Sequence, residues 1–428
     1  MPTNPATAYD TARARYYALV LLTIVYAFNF IDRQLLAILQ ESIKLDLGLS
    51  DSQLGLLSGF AFALFYVTAG IPIARWADHS NRRNIVAAAV FTWSFMTAIS
   101  GAVQNYTQLL LARIGVGIGE AGGSPPSHSI ISDIFPAEKR ASALGFYSTG
   151  VNIGILFGFL LGGWINEYFG WRVAFVVVGV PGILLAIIVR FTLAEPIRGM
   201  SEEKVVDPDN TSFLGVLALL WSRRSFRHMA LAGALNAFVG YGTASWSASF
   251  IIRSYGMNTG ELGTWLAMIS GVCGAIGVFC GGLIADKLGP RDKRWYMWVP
   301  TIAGLISIPF ITMTYLVNGP YWALMMSVIP GLLSNVYLGN TIAMTHGLVG
   351  LRMRALASAV LFLILNLIGL GLGPLLIGML SDYLQPTLGE HSLRQAMLYL
   401  LPVVMTWSTL HFFLASRSLR EDLAGAPS

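Results

Sequence analysis

Gly154 to Tyr168 reads GILFGFLLGGWINEY, and Gly369 to Tyr383 reads GLGLGPLLIGMLSDY. At one constant offset, Gly154, Gly158 and Gly163 match Gly369, Gly373 and Gly378, and Glu167-Tyr168 matches Asp382-Tyr383. Each stretch is apolar until its polar end, which suits a helix crossing a bilayer. Upstream, Arg140-Ala141 opens the first segment as Arg354-Ala355 opens the second. Asp78 and Asp286 close matching apolar runs earlier in each half. Such a series of matches points to duplication and to a chain of two like halves.

The composition agrees with a membrane-embedded chain. Of the 428 residues, 55% are hydrophobic and 11% are charged, where a soluble domain carries about 25% charged residues. Cys273 and Cys280 share one apolar run and read as small packing residues, not a disulfide framework. The net charge of +5 fits the positive-inside bias of membrane proteins better than a nucleic-acid partner. Met1 to Ala14 is polar, and no cleavable leader is evident. No His/Cys cluster has metal-ligand spacing, and no catalytic constellation offers a nucleophile.

The apolar pattern predicts an all-α membrane protein of twelve transmembrane helices in two pseudo-symmetric six-helix bundles. The first six helices are predicted at 16–38, 53–76, 84–103, 107–132, 140–166 and 172–193. The second six are predicted at 230–252, 261–285, 295–317, 320–345, 355–383 and 394–415. An N-terminal bundle then spans 1–193, a connecting segment 194–229, and a C-terminal bundle with a short tail 230–428. Glu195 to Ser212 is polar and aperiodic, as a loop is. Phe213 to Met229 turns from apolar to basic at Arg223, Arg224 and Arg227, which suits an interfacial helix. Basic residues crowd the loops on one side, from Arg82-Arg83 through Lys139-Arg140 and Lys293-Arg294 to Arg417. The other side holds only Lys44, Arg172, Arg253 and Arg394. That asymmetry predicts both termini in the cytoplasm.

The chain resembles the major facilitator superfamily over nearly its whole length. GLIADKLGPR, Gly282 to Arg291, is similar to that family's loop motif after helix 8. ARWADHSNRR, Ala74 to Arg83, is a degenerate copy with Asn81 where Gly is usual. Arg113-x-x-x-Gly117-x-Gly119 also fits the pattern. Within the superfamily the chain resembles Spinster-like transporters. The segments that carry this likeness are Asn29-Phe30-Ile31-Asp32-Arg33, and Gly119-Glu120-Ala121 with Ser124, Ser132, Asp133 and Phe135. The resemblance implies export of lysolipids or sphingoid lipids. The anion–cation symporter branch shares the Asp-Arg and Glu-Ala pairs and moves small organic anions.

Ionisable side chains in a bilayer core cost about 2.5–3.5 kcal/mol or more each, so those present need a partner or a task. Asp32 and Arg33 fall in helix 1, and Arg113 and Glu120 in helix 4; the superfamily resemblance places both helices along the central cavity. Burial disfavours a charged carboxylate and a neighbouring guanidinium favours it, so a contact that makes and breaks during the cycle lets a carboxylate take and release a proton. Asp32 is the expected principal proton site. Glu120 is expected as a second proton site or a substrate contact, and Arg33 and Arg113 as counter-charges or headgroup ligands. Salt bridges that merely fix helix packing are the competing reading.

The family pattern suggests that Asp78 with Arg140, and Asp286 with Arg354, latch the cytoplasmic side in the outward-open state. Ordinary loop charge is the plainer alternative. Gly150, Gly154, Gly158 and Gly162 make one smooth face, for sliding between halves or for static packing. Candidate cavity residues are Asn29, Asn236, Tyr241, Asn335 and Tyr337; for those of helices 7 and 10 a hydrogen bond in helix packing is the commoner role of such a residue.

No Walker-type phosphate loop is present. The expectation is therefore a proton-coupled secondary transporter without cofactors, monomeric, in a bacterial inner membrane, moving an amphiphilic lipid-like substrate by alternating access. An organic-anion/proton symporter, a multidrug/proton antiporter, and a membrane-embedded enzyme or sensor are the alternatives.

Overall fold

The computed structural model describes residues 9–200, 212–350 and 353–426. Part of the predicted connecting segment, 201–211, and the loop residue Arg352 lie outside the described residues. Among those described, the chain is helical without a strand. Twelve long helical segments follow one another. They are α1 (Ala12–Leu47), α2 (Asp51–His79), α3 (Arg82–Ser100), α4 (Tyr106–Glu120, resuming at Ser124–Ile134), α5 (Ala137–Phe169) and α6 (Trp171–Thr192). Then come α7 (Arg224–Tyr255), α8 (Thr259–Leu288), α9 (Trp295–Leu316), α10 (Pro320–Leu333, resuming at Val336–Gly347), α11 (Arg354–Leu388) and α12 (Ser392–Ala424).

Among the described residues, eight helical stretches are long and apolar enough to cross a bilayer, the last of which, Arg354–Ala424, holds both α11 and α12. The remaining crossings are α3, α4 and α7. They carry more polar residues or are broken, because α4 holds Arg113 and Glu120 and α7 opens on Arg224 and Arg227.

Local chemistry sets the helix ends. Thr11 caps α1 by accepting from the Ala14 N–H, and Gly48 ends it at φ 64°, a conformation suited to glycine. Ser50 and Gln53 form a capping box at the start of α2. Asn81, Asn105 and Asn258 cap α3, α4 and α8 with side-chain oxygens. The helix α7 begins at Arg224, earlier than the hydropathy predicts, because Asp422 accepts the Ser225 N–H at 2.7 Å. A separate apolar helix, Phe213–Ser222, precedes it. The predicted interfacial segment is thus this short helix plus the first turn of α7.

Several crossings are not regular. The α4 helix breaks just before Pro125-Pro126, and α10 breaks at Ser334-Asn335. Wider π-helical turns occupy Leu56–Phe60 in α2, Ala267–Cys273 in α8 and Asn366–Leu372 in α11. In α11 the turn ends just before Pro374, whose ring has no N–H and would crowd the carbonyl one turn back. Such turns mark functional sites more often than chance.

The chain folds as two compact units. Unit 1 holds Met1–Leu49, Ala61–Asp207 and Asn258–Ala267; unit 2 holds Ser50–Phe60, Pro208–Met257 and Met268–Ser428. In unit 1 the glycine face of α5 packs on α1. A Cβ at Gly150 would stand 2.7 Å from the Thr23 carbonyl oxygen, and one at Gly158 would stand 2.9 Å from that of Ile31. In unit 2 α11 packs on α7 in the same way, with a Cβ at Gly373 falling 2.7 Å from the Phe238 carbonyl oxygen. The matched pairs Gly154 and Gly369, and Gly158 and Gly373, therefore make matching contacts within their own halves. The α5 glycine face lies on α1, as static packing requires.

Candidate functional site

Successive helical residues point about 100° apart, so Asp32 and Arg33 leave α1 in different directions. Arg33 Nε donates to Glu120 Oε2 on α4 at 2.7 Å. Its guanidinium also lies over the rings of Phe30, Phe62 and Tyr66, at 5.0, 4.9 and 5.2 Å from their centroids. Asp32 instead faces Thr97 on α3 and Arg113 on α4. The Thr97 hydroxyl donates to Asp32 Oδ2, while Arg113 Nη1 stays 3.8 Å from Asp32 Oδ1. That is an ion pair beyond hydrogen-bond reach.

The four predicted charges thus form two crossed pairs between α1 and α4, one tight and one loose. All belong to unit 1, and Asp32, Arg113 and Glu120 are each at most 2% exposed. Asp32 Oδ1, Arg113 Nε and Nη1, and Glu120 Oε1 have no hydrogen-bond partner among the described residues. Buried polar atoms are almost always satisfied. Leaving these open costs free energy unless a proton, water or ligand completes them during function.

Asn29 lies one turn from Arg33. With Val25, Tyr26, Trp93, Gly123, Ser124 and Tyr147 it lines a crevice too tight for a water molecule. Tyr26 and Tyr147 stack at 4.5 Å, and His128 meets the Tyr147 ring edge-on at 5.1 Å. Sequence reasoning did not find Thr97, Phe62, Tyr66 or Tyr147. A threonine inside an apolar run ordinarily bonds the carbonyl one turn back, as Thr97 also does to Trp93 at 2.9 Å, so nothing local marks its second partner.

In unit 2 the predicted cavity residues differ in burial. Asn236 is buried, with its amide 3.8 Å from the Met405 sulfur. Tyr337 is buried against Phe412, ring centroids 6.0 Å apart. Tyr241 is half-buried, and Asn335 is exposed at the α10 break.

Residues 22–374 match the Major Facilitator Superfamily. The chain belongs to that superfamily. It is 32% identical to an MFS-type efflux pump of Mycolicibacterium smegmatis, over 98% of each chain. It is 28% identical to the probable galactarate/D-glucarate transporter GudP of Bacillus subtilis, over 70% of this chain and 72% of that one. Among solved structures it resembles a bacterial homolog to the human lysosomal transporter Spinster in an inward-facing, unoccupied conformation. The TM-score is 0.85, with 34% identity over 96% of this chain and 99% of that one. The Spinster-like resemblance read from the sequence is therefore shown, and the enzyme alternative falls away.

In this superfamily member the predicted gate residues lie at or near helix ends. Asp78 is exposed and Arg140 half-buried. Asp286 is also exposed and accepts from the Tyr296 hydroxyl at 3.3 Å, while Arg354 opens α11. A different network ties the neighbouring loop. Arg82 donates to Glu195 at 2.8 Å, to Asp133, to Ser129 at 2.8 Å and to the Pro196 carbonyl at 3.0 Å. Glu195 and Asp133 also accept the N–H groups of Arg83 and Gly199. What the sequence presented as plain loop is anchored where it begins.

Proposed function

We propose that this transporter is driven by protons, works by alternating access, and moves an amphiphilic lipid-like substrate. The observation that carries the coupling is the loose pair. Asp32 is buried, held on one oxygen by Thr97, and its other oxygen is open toward Arg113 at 3.8 Å. A carboxylate so placed can receive a proton without first losing a direct hydrogen bond to its counter-charge. The tight Arg33–Glu120 pair beside it keeps the site's net charge near balance.

The lipid-like substrate is supported by the Spinster likeness, and the set Asp32, Arg33, Arg113 and Glu120 suits a charged head. A sugar-acid or other organic-anion substrate is the second reading, favoured by the sugar-acid relative and by the buried Arg113 and half-buried Arg33, whose planar forks suit carboxylates. An efflux role accords with the mycobacterial relative. We place the protein in a bacterial inner membrane with both termini cytoplasmic, on the asymmetry of Lys and Arg.

The test is movement of a lysolipid, a sphingoid base and a sugar acid by purified protein in liposomes under an imposed pH gradient. Gradient-dependent lipid movement that is lost in Asp32→Asn is the expected result. Movement of the sugar acid alone would reassign the substrate, and coupling retained in Asp32→Asn would overturn the proton site.

A further inference from the structure

Two histidines far apart in sequence meet between α7 and α12, inside unit 2. His228 Nδ1 lies 2.8 Å from His411 Nδ1, with the ring centroids 5.1 Å apart. Both side chains are half-buried. Fixed contacts bracket them. Three residues before His228, the Ser225 N–H donates to Asp422 at 2.7 Å. Four residues after it, the Ala232 carbonyl accepts from the Ser408 hydroxyl at 2.8 Å. The two helices are thus held on either side of the pair, and the rings meet across a packed seam.

A neutral imidazole has one N–H and one bare nitrogen, and a protonated one has two N–H groups. Two ring nitrogens at hydrogen-bond distance share one hydrogen, so one of the two is bare. Two neutral rings satisfy this, with one Nδ1–H donating to the other Nδ1. One added proton goes to the free Nε2 of the donor ring, and the bond persists as a charge-assisted one. A second proton has only the accepting Nδ1 left to take. There it replaces the bond with two opposed N–H groups on two positive rings.

The neighbours of the pair do not take over this role. On the two helices themselves the nearby charges are Arg224 and Arg227, both exposed, and Arg417, whose guanidinium lies over Phe413 at 4.8 Å. The Trp407 ring is 6.1 Å from that of His411. The helix Phe213–Ser222, packed on α7, holds no titratable residue. From the other elements packed on α7 and α12 come Tyr296, which donates to Asp286 at 3.3 Å, Tyr337, which packs on Phe412, and Arg354. His346 at the end of α10 is bonded to Ser358 at 2.6 Å.

We propose that His228 and His411 form a proton-binding site in unit 2 that keeps α7 and α12 joined with one proton or none and loosens their seam when a second arrives. Histidine is the side chain whose ordinary titration falls near neutral pH, so the change lies within reach of physiological acidification. His228 is the fifth residue of α7, on the side of the membrane where α12 ends, and the pH of that side is the one the pair meets. The site shares no residue with the Asp32, Arg33, Arg113 and Glu120 set, and it stands whether or not Asp32 couples transport.

The test is hydrogen–deuterium exchange of the first turns of α7 in the full chain, purified into nanodiscs of neutral lipid. Protection factors, which remove the intrinsic pH dependence of exchange, are compared at about pH 8 and about pH 5, on either side of the ordinary histidine value of about 6.5. Wild type is set beside His228→Phe and His411→Phe, which keep a ring and lose the shared hydrogen. His346→Gln is the control for the other histidine at this end of unit 2. Protection in the wild type is expected to fall several-fold at the lower pH. The fall should be less than half as large in each phenylalanine variant and unchanged in His346→Gln. If the phenylalanine variants do not fold, His228→Gln takes their place, because an amide can donate to or accept from His411 in either of its charge states. No fall in the wild type, a fall that the His228 and His411 variants keep, or one that His346→Gln removes overturns the site.

Discussion

Arg33 Nε and Glu120 Oε2 stand 2.7 Å apart, while Asp32, the residue next to Arg33, keeps its Oδ1 3.8 Å from Arg113. The two pairs differ in what their loss costs. Removing one partner of a tight buried pair strands a charge and forfeits a charge-assisted hydrogen bond of about 1.5–3 kcal/mol. The loose pair offers no such bond, and an asparagine at position 32 still accepts from Thr97. Glu120→Gln is therefore expected to lower the thermal midpoint of the purified protein clearly more than Asp32→Asn. Thermal unfolding of both variants in one detergent checks this. Equal losses, or a larger loss in Asp32→Asn, would show that the 3.8 Å pair is as strong as the 2.7 Å pair.

Much of the fold was legible because the bilayer imposes simple rules. Apolar runs marked the crossings, and the common offset of Gly154, Gly158 and Gly163 with Gly369, Gly373 and Gly378 marked the halves. The pairing of the buried charges was not legible. Asp32 and Arg33 are neighbours in sequence, yet helical geometry sends them to different partners, and Thr97 reaches Asp32 from another helix. The anchoring of Glu195 by Arg82 was hidden for a related reason, since a polar aperiodic stretch reads as loop whether or not a buried arginine waits for it. The π-helical turn before Pro374 had one local signal, the proline itself; those in α2 and α8 had none.

Arg82 leads to a second prediction. Its side chain is 1% exposed and serves Glu195, Asp133, Ser129 and the Pro196 carbonyl at once. Breaking a buried pair by removing one partner costs about 3–5 kcal/mol. Arg82→Gln should cost on that order, and Arg82→Lys should rescue little, because an ammonium cannot reproduce the planar fork. Arg83→Gln should stay within about 0.5 kcal/mol, as its half-buried side chain bonds only Asn84, in the open, among the described residues. Denaturation midpoints of the three variants decide. Full rescue by lysine would mean that charge alone, not geometry, holds the loop.

Gly154 and Gly145 make a third test, on one helix. A Cβ at Gly154 would collide with the Ala27 carbonyl oxygen and Phe30 Cβ, while a Cβ at Gly145 meets nothing within 4 Å. Overpacking costs about 1–3 kcal/mol, and more against backbone that cannot yield. Gly154→Leu is expected to lower the midpoint strongly or to prevent folding. Gly145→Ala should be neutral or stabilising by up to about 1 kcal/mol, because alanine suits a helix interior better than glycine. Comparable harm from both would mean that α5 needs its glycines for a reason other than the approach of α1.

Asp292, in the loop between α8 and α9, gives a pH dependence whose sign is fixed. Burial alone would raise its carboxyl, but the Arg294 N–H and guanidinium, at 3.0 and 2.9 Å, and the Arg420 guanidinium, at 2.7 Å, outweigh it. The folded carboxyl is held below the ordinary carboxylate range. A group depressed on folding binds fewer protons in the native state, so its contribution is complete above the unfolded value of about 3.9 and fades as pH falls through the lower folded value. Asp292→Asn should then lower the thermal midpoint at neutral pH, where the loop is tied to α12 through Arg420. The gap to wild type should narrow as the pH is taken down through about 4, since the wild-type carboxylate is itself being protonated there. Midpoints of both proteins from about pH 7 to about pH 3 measure that gap. A gap that stays constant over the whole range would mean that Asp292 acts by shape, as the Asn variant would then lack only a contact and not a charge.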